Sequence, residues 1–149
     1  MIKIQIPATS ANLGAGFDAL GLALTYYNYI EMEECDKIDI TAADGLDIPT
    51  DERNLIYISA KDLFAVCGKK LEGLKLIQTS NIPMARGLGS SSACIIAGLV
   101  GANKMLGDPL TKDDLVDLAA QIEGHPDNTA PALLGGIVTA VFYGRKVHW

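Results

Sequence analysis

Pro83-Met84-Ala85-Arg86-Gly87-Leu88-Gly89-Ser90-Ser91-Ser92-Ala93 is the stretch on which the reading of this sequence turns. Two glycines allow close backbone approach to a ligand, and three serines follow where the first amides of a helix lack internal partners. From Ser90 to Leu106 the pattern is helical and apolar on nearly every side, which predicts a central, buried helix. Such a helix start favours anions, because its amides point outward and the dipole is positive there. Burial sharpens the preference, since unsatisfied amides in a dry place are costly. An ordinary capped helix after a glycine turn is the competing reading. No Lys follows the glycines, so this is not a Walker A loop, and Ser92 stands where GxGxxG would need its third glycine.

Upstream, Met1 to Ile6 alternates like a strand that ends at Pro7, and Ala8 to Asp18 reads as a tight, glycine-spaced loop. Leu20 to Glu33 reads as one or two strands, Ile38 to Thr41 as another, and Asp44 to Thr50 as turns. Asn54 to Val66 takes helical spacing, with Leu55, Ile58, Leu63 and Val66 near one face and Gly68 as a stop. Leu74 to Gln78 is a strand leading to Asn81-Ile82-Pro83. Downstream, Gly107 and Pro109 end the buried helix. Thr111 is an N-cap with Asp113 and Asp114 in the first turn of a helix reaching Ile122 or Glu123. Gly136 to Tyr143 closes with a β-branched strand. The order does not alternate regularly, which points to α+β, a mostly antiparallel sheet covered by helices, rather than a doubly wound parallel sheet.

The 149 residues suit one compact domain over 1–149 and not two. With 49% hydrophobic residues the chain is not disordered, and a net charge of −6 with pI near 4.7 argues against generic nucleic-acid binders and polybasic membrane anchors. The longest apolar run, Ala93 to Ala102, is too short to span a bilayer. Cys35, Cys67 and Cys94 are scattered without a CxxC, so a disulfide framework or zinc site is not expected, and a reducing cytoplasm is.

Two further segments carry chemistry. Glu123-Gly124-His125-Pro126-Asp127-Asn128 gathers two carboxylates, an imidazole and an amide between backbone-fixing Gly and Pro. A solvated helix end with a Pro turn is the alternative. A carboxylate near a phosphate loop suggests magnesium, which prefers oxygen ligands and keeps several waters. Thr9-Ser10-Ala11-Asn12-Leu13-Gly14-Ala15-Gly16-Phe17-Asp18 offers short hydroxyls, an amide and an acid on a Gly-rich loop, suited to a small polar ligand or simply to a turn.

Taken together, these segments resemble the GHMP kinases, the superfamily of galactokinase and of homoserine, mevalonate and phosphomevalonate kinases. Pro83 to Ser91 is similar to that superfamily's phosphate loop. Pro7 to Asp18, and Glu123 to Asn128 followed by Ala130-Pro131-Ala132-Leu133-Leu134-Gly135-Gly136, resemble its homoserine branch. The resemblance implies the N-terminal domain of that fold, of the ribosomal protein S5 domain 2 type, and ATP-dependent phosphorylation of the L-homoserine hydroxyl on the route to threonine. ATP and Mg²⁺ would be the cofactors, with a homodimer as the candidate assembly and no nucleic acid or membrane as partner.

Residue by residue, the resemblance implies that Pro83, Met84, Ala85, Arg86, Gly87, Leu88, Gly89, Ser90, Ser91, Ser92 and Ala93 hold the nucleotide phosphates. Asn54 would meet the adenine. Ser91 and Glu123 would hold Mg²⁺, and Asn12, Asp18, His125 and Asn128 would hold homoserine, with Asp18 suited to its ammonium. Ser91, Glu123 and Asn128 would form the catalytic set. Asp127 is not expected to be a general base. Family members are about twice this length and carry a second, ferredoxin-like domain. The chain therefore resembles an N-terminal half with little turnover alone, and a nucleotide-binding module without chemistry or another GHMP small-molecule kinase is the alternative.

Overall fold

The computed structural model describes residues 1–43, 45–83 and 85–149. Asp44, in the expected turn-rich segment, and Met84, in the expected phosphate loop, lie outside the described residues. In chain order the elements are β1 (Ile2–Ala11), β2 (Leu20–Cys35), β3 (Ile38–Ala42), α1 (Leu55–Val66), β4 (Gly73–Ser80), α2 (Ser90–Met105), α3 (Lys112–Glu123), α4 (Thr129–Leu134), β5 (Ile137–Thr139), β6 (Val141–Tyr143) and β7 (Lys146–His148). The main sheet runs β1-β2-β4-β3, with β5 added beside β2. All its pairs are antiparallel except β3 with β4, which α1 joins by a crossover. This is the expected α+β architecture.

Alternation on the strands gives the sheet two unlike faces. Ile6, Ile30, Met32, Leu74 and Leu76 are buried against the helices, whereas Lys3, Glu31 and Glu33 belong to the other set. There Lys3 meets Glu31 at 3.2 Å. The core helix is α2, whose Ala93, Ile96, Ala97, Leu99 and Ala102 are fully buried. Gly98 lets α1 cross it closely: a β-carbon there would overlap the Ile56 carbonyl oxygen. Among the described residues no helix is long and apolar enough to cross a membrane.

Three expectations from the sequence are corrected. β1 does not end at Pro7 but continues to Ala11, because Thr9, Ser10 and Ala11 find Ala23, Leu22 and Gly21 on β2 after a register shift. Pro7 has no amide to donate, and it sits at that irregularity on an edge strand, where the lost bond is tolerated. The Gly-rich loop is accordingly shorter than Ala8 to Asp18. The run from Gly136 to Tyr143 is two strands: β5 pairs with β2, Ala140 donates its amide to Ala19, and β6 turns through Gly144 and Arg145 to pair with β7. Both turn residues have positive φ, 56° and 72°, as a two-residue hairpin of this twist requires. α4 occupies a segment that the sequence reading leaves unassigned; its Pro131 lies in the first turn, where amides have no helical partner and Pro is tolerated.

One polar cluster lies within the core. Asn28 on β2 and Gln78 on β4 are buried, with Gln78 Nε2 donating to Asn28 Oδ1 at 3.2 Å, and both amides reach Cys94 Sγ on α2. Burial pushes the Cys94 thiol up to about 11, against weaker opposition from the Gln78 and Asn28 donors. An unfolded thiol ionises near 8.5, so above that pH the unfolded chain sheds its proton first. This contribution is intact below about pH 8.5 and is lost as pH rises toward 11. Between pH 8.5 and 10.5 the unmodified chain should lose about 2 kcal/mol more stability than Cys94→Ala, measured by urea unfolding.

Candidate functional site

The helix starts differ in a way that sequence propensity does not explain. Asn54 caps α1, its Oδ1 accepting from the amides of Ile56 and Tyr57. Thr111 and Asp114 form a reciprocal capping box on α3. α2 begins at Gly89, in a left-handed conformation with φ 65°, and no side chain caps it. Its first turn carries no acidic residue. The amides of Ser90, Ser91 and Ser92 therefore form an electropositive end into which Gly87, also left-handed at φ 69°, leads the chain. Ala85 is held at φ 55°, a conformation that costs a non-glycine residue about 1–2 kcal/mol and so marks a loop shaped by its surroundings.

The carboxylate of Glu123, the last residue of α3, lies across this helix start. Ser92 Oγ donates to its Oε1 at 3.1 Å, and Ser91 Oγ lies 3.4 Å from its Oε2. Ser92 is buried and Ser91 exposed, so the first anchors the carboxylate and the second stands beside it in solvent. Among the described residues no group of three or more His, Cys, Asp or Glu side chains could cage a metal. One carboxylate and one hydroxyl beside a cradle of amides is the donor set that suits Mg²⁺ shared with phosphate oxygens.

Thr9 docks the glycine loop onto the sheet. Its amide donates to the Leu88 carbonyl at 3.0 Å, and its hydroxyl to Asn128 Oδ1 at 2.7 Å. Thr9 is fully buried. Gly89 packs so tightly here that a β-carbon would overlap Thr9 Oγ1 and stand 3.3 Å from Asn128 Oδ1. Asn128 thus adjoins the phosphate loop. On its other side, Gly21 of β2 lets the backbone of Asp127 approach, a β-carbon there overlapping the Asp127 carbonyl.

Asn12 and Asp18 are both left-handed, at φ 59° and 54°, and Asn12 Oδ1 accepts from the Asp18 amide at 2.7 Å, closing their loop. Asp18 and His125 line one cleft of about 400 Å³ together with Phe17, Pro126, Val141 and Phe142. His125 Nδ1 lies 2.5 Å from Oδ1 of Asp127, whose side chain is 1% exposed. An ionised carboxylate can only accept, so against it Nδ1 is the nitrogen that carries a proton.

The structure brings together Ser91 with Glu123, Asn12 with Asp18, Asp18 with His125, and Asn128 with the Gly89 turn. Pro83, Ala85, Arg86 and Gly87 are exposed on the loop, and Leu88 and Ser90 are partly so. Two residues expected at the nucleotide are engaged within the fold. Ala93 is fully buried and its amide donates to the Gly89 carbonyl at 2.9 Å, so neither methyl nor N–H is left for phosphate. Asn54 is 2% exposed; its Oδ1 caps α1 and its Nδ2 donates to the Pro49 carbonyl at 2.9 Å, so the side chain has a structural role of its own. Asn54→Ala should cost about 1–2 kcal/mol of stability, while Asn54→Asp, which keeps the capping oxygen, costs less. Mg-ATP affinity of the folded variants should stay within twofold of the original in calorimetry; a larger loss in both would restore the adenine role. Sequence reasoning named Thr9 only among the short hydroxyls of its segment; its bond to Asn128, 119 positions away, is what the sequence did not show.

Comparison with known proteins adds an independent line. A family profile described as the GHMP kinases N terminal domain matches residues 54–136. A homoserine kinase from Carboxydothermus hydrogenoformans is 49% identical over 152 residues, which cover 100% of this chain and 50% of that protein. A solved structure from Listeria monocytogenes matches with a TM-score of 0.87 and 43% identity, covering 98% of this chain and 52% of that one. A crystal structure of homoserine kinase from Cytophaga hutchinsonii matches with a TM-score of 0.77 and 33% identity, over 93% and 47% respectively. The chain spans about half the length of the curated relatives it matches.

Proposed function

The chain belongs to the GHMP kinases, and from that premise we propose that it forms the nucleotide-binding part of an ATP-dependent homoserine kinase, which transfers a phosphoryl group to the hydroxyl of L-homoserine. The observation that carries the reading is the uncapped start of α2 beside the Glu123 carboxylate, with Ser91 and Ser92 between them.

In this reading the amides from Gly87 to Ser92 cradle the triphosphate, and Arg86 adds positive charge at the rim. Ser91 and Glu123 hold Mg²⁺, which neutralises charge on the phosphates when bound. Asp18 pairs with the ammonium of homoserine across the cleft from His125, whose ring Asp127 holds in place. Asn128 meets the acceptor hydroxyl next to the phosphate loop. Phosphoryl transfer asks for positioning and charge neutralisation more than covalent chemistry, and this set supplies both. Asp127 is no base for the hydroxyl, being buried and engaged by His125.

A second reading, nucleotide binding without turnover, is favoured by how open the cleft is: Phe17 is 74% exposed and Val141 59%. Water excluded poorly weakens every electrostatic contact at the reacting centre. Calorimetric titration with Mg-ATP, repeated with L-homoserine and followed by an assay for O-phospho-L-homoserine, separates the two. Saturable binding of both with product supports the kinase reading. Nucleotide binding with no product supports the second, and a folded chain that binds no Mg-ATP overturns both.

A further inference from the structure

Asn128 occupies the N-cap position of α4, yet its side chain makes no capping hydrogen bond. An N-cap Asn normally turns its oxygen onto the amides of the first turn. Here that oxygen is drawn to the Thr9 hydroxyl, which reaches it from 119 positions away at 2.7 Å. Thr9 is fully buried, and its amide also fastens the glycine loop at Leu88. The hydroxyl donates to Oδ1 at this distance, which ties the carboxamide to β1. Oδ1 faces inward, and among the described residues Nδ2 meets no acceptor.

We infer that Thr9 is a positioning residue: its buried hydroxyl holds the Asn128 carboxamide in place beside the glycine loop. This rests on the reading that Asn128 meets the acceptor substrate. Its consequence is chemical. A carboxamide held there can hydrogen-bond a substrate hydroxyl or the phosphoryl group beside it, and being neutral it is no base for the proton that the hydroxyl releases. Without the Thr9 hydroxyl it loses that anchor and the preorganisation that oriented groups supply.

The test uses the 149-residue chain, with Thr9→Val as the isosteric deletion, Thr9→Ser as the conservative rescue, and Thr9→Ala carrying the same expectation as Val should Val not fold. The first readout is the Asn128 side-chain amide pair in a ¹H–¹⁵N spectrum. It should be one sharp pair in the unmodified chain and in Thr9→Ser, and shifted or broadened in Thr9→Val. The second is calorimetric affinity for L-homoserine in the presence of Mg²⁺ and a non-hydrolysable ATP analogue. It should fall about tenfold in Thr9→Val and return in Thr9→Ser, with affinity for the analogue held within twofold. An amide pair unmoved in Thr9→Val, or a loss that Thr9→Ser does not restore, overturns the positioning role. An unmodified chain that binds no homoserine overturns instead the substrate reading beneath it, and the amide pair then judges the lock by itself.

Discussion

Glu123→Ala is expected to weaken Mg-ATP binding by about 100-fold, or roughly 2.7 kcal/mol, while leaving metal-free ATP binding unchanged or slightly improved. The two signs follow from one geometry. With magnesium present, Glu123 is the carboxylate that completes an oxygen donor set with Ser91, 3.4 Å away, and removing it strips the metal of its charged protein ligand. Without magnesium, the same carboxylate sits at the mouth of an anion site and repels the triphosphate, so its loss helps. Titrations in magnesium and in EDTA measure both. Equal losses in the two conditions would mean that Glu123 serves only to hold Ser91 and Ser92, and the metal role would fall. Ser91→Ala should follow the magnesium-dependent pattern more weakly, because an exposed hydroxyl is a neutral ligand that water replaces. Ser92→Ala should instead act on stability, since its buried hydroxyl fixes the carboxylate at 3.1 Å.

What the sequence made legible were the features coded within a few residues. α2 and α3 declared themselves by apolar spacing and by the residues at their ends, and the Gly87 to Ser91 motif marked the candidate anion site. The features it hid depend on pairing at long range. A β-branched run looks the same whether it follows one partner or, as from Ile137 to Tyr143, leaves β2 for β7 part-way along. Pro7 stops a strand in any local reading; that β1 continues to Ala11 rests on Gly21, Leu22 and Ala23 lying opposite. The same holds in the site. Glu123 and Asn128 were visible by motif, but Thr9, which locks one of them, is a common strand residue distinguished only by a contact across the fold. Asn54 shows how one residue can carry two readings: the motif assigned it to the adenine, and the fold gives its oxygen to the amides of Ile56 and Tyr57.

Gly89 and Gly87 provide the sharpest separation of backbone freedom from close packing. Both are left-handed, at φ 65° and 69°, so alanine at either position incurs the same local strain of about 1–2 kcal/mol. Around Gly87 a β-carbon would meet nothing within 4 Å. Around Gly89 it would overlap Thr9 Oγ1 and press on Thr9 Cβ at 3.2 Å, adding about 1–3 kcal/mol of overpacking. Gly89→Ala should therefore lose about 2–5 kcal/mol in urea unfolding, and Gly87→Ala only the strain. The functional gap should be wider than the stability gap. Relief of the overlap means moving the loop away from β1, which breaks the Thr9 to Leu88 bond and withdraws the amides proposed to face the phosphates. Mg-ATP binding should then vanish from calorimetry in Gly89→Ala and persist within about tenfold in Gly87→Ala, the size of that shared strain. If the two variants lose affinity alike, loop flexibility rather than the seat on Thr9 shapes the anion site.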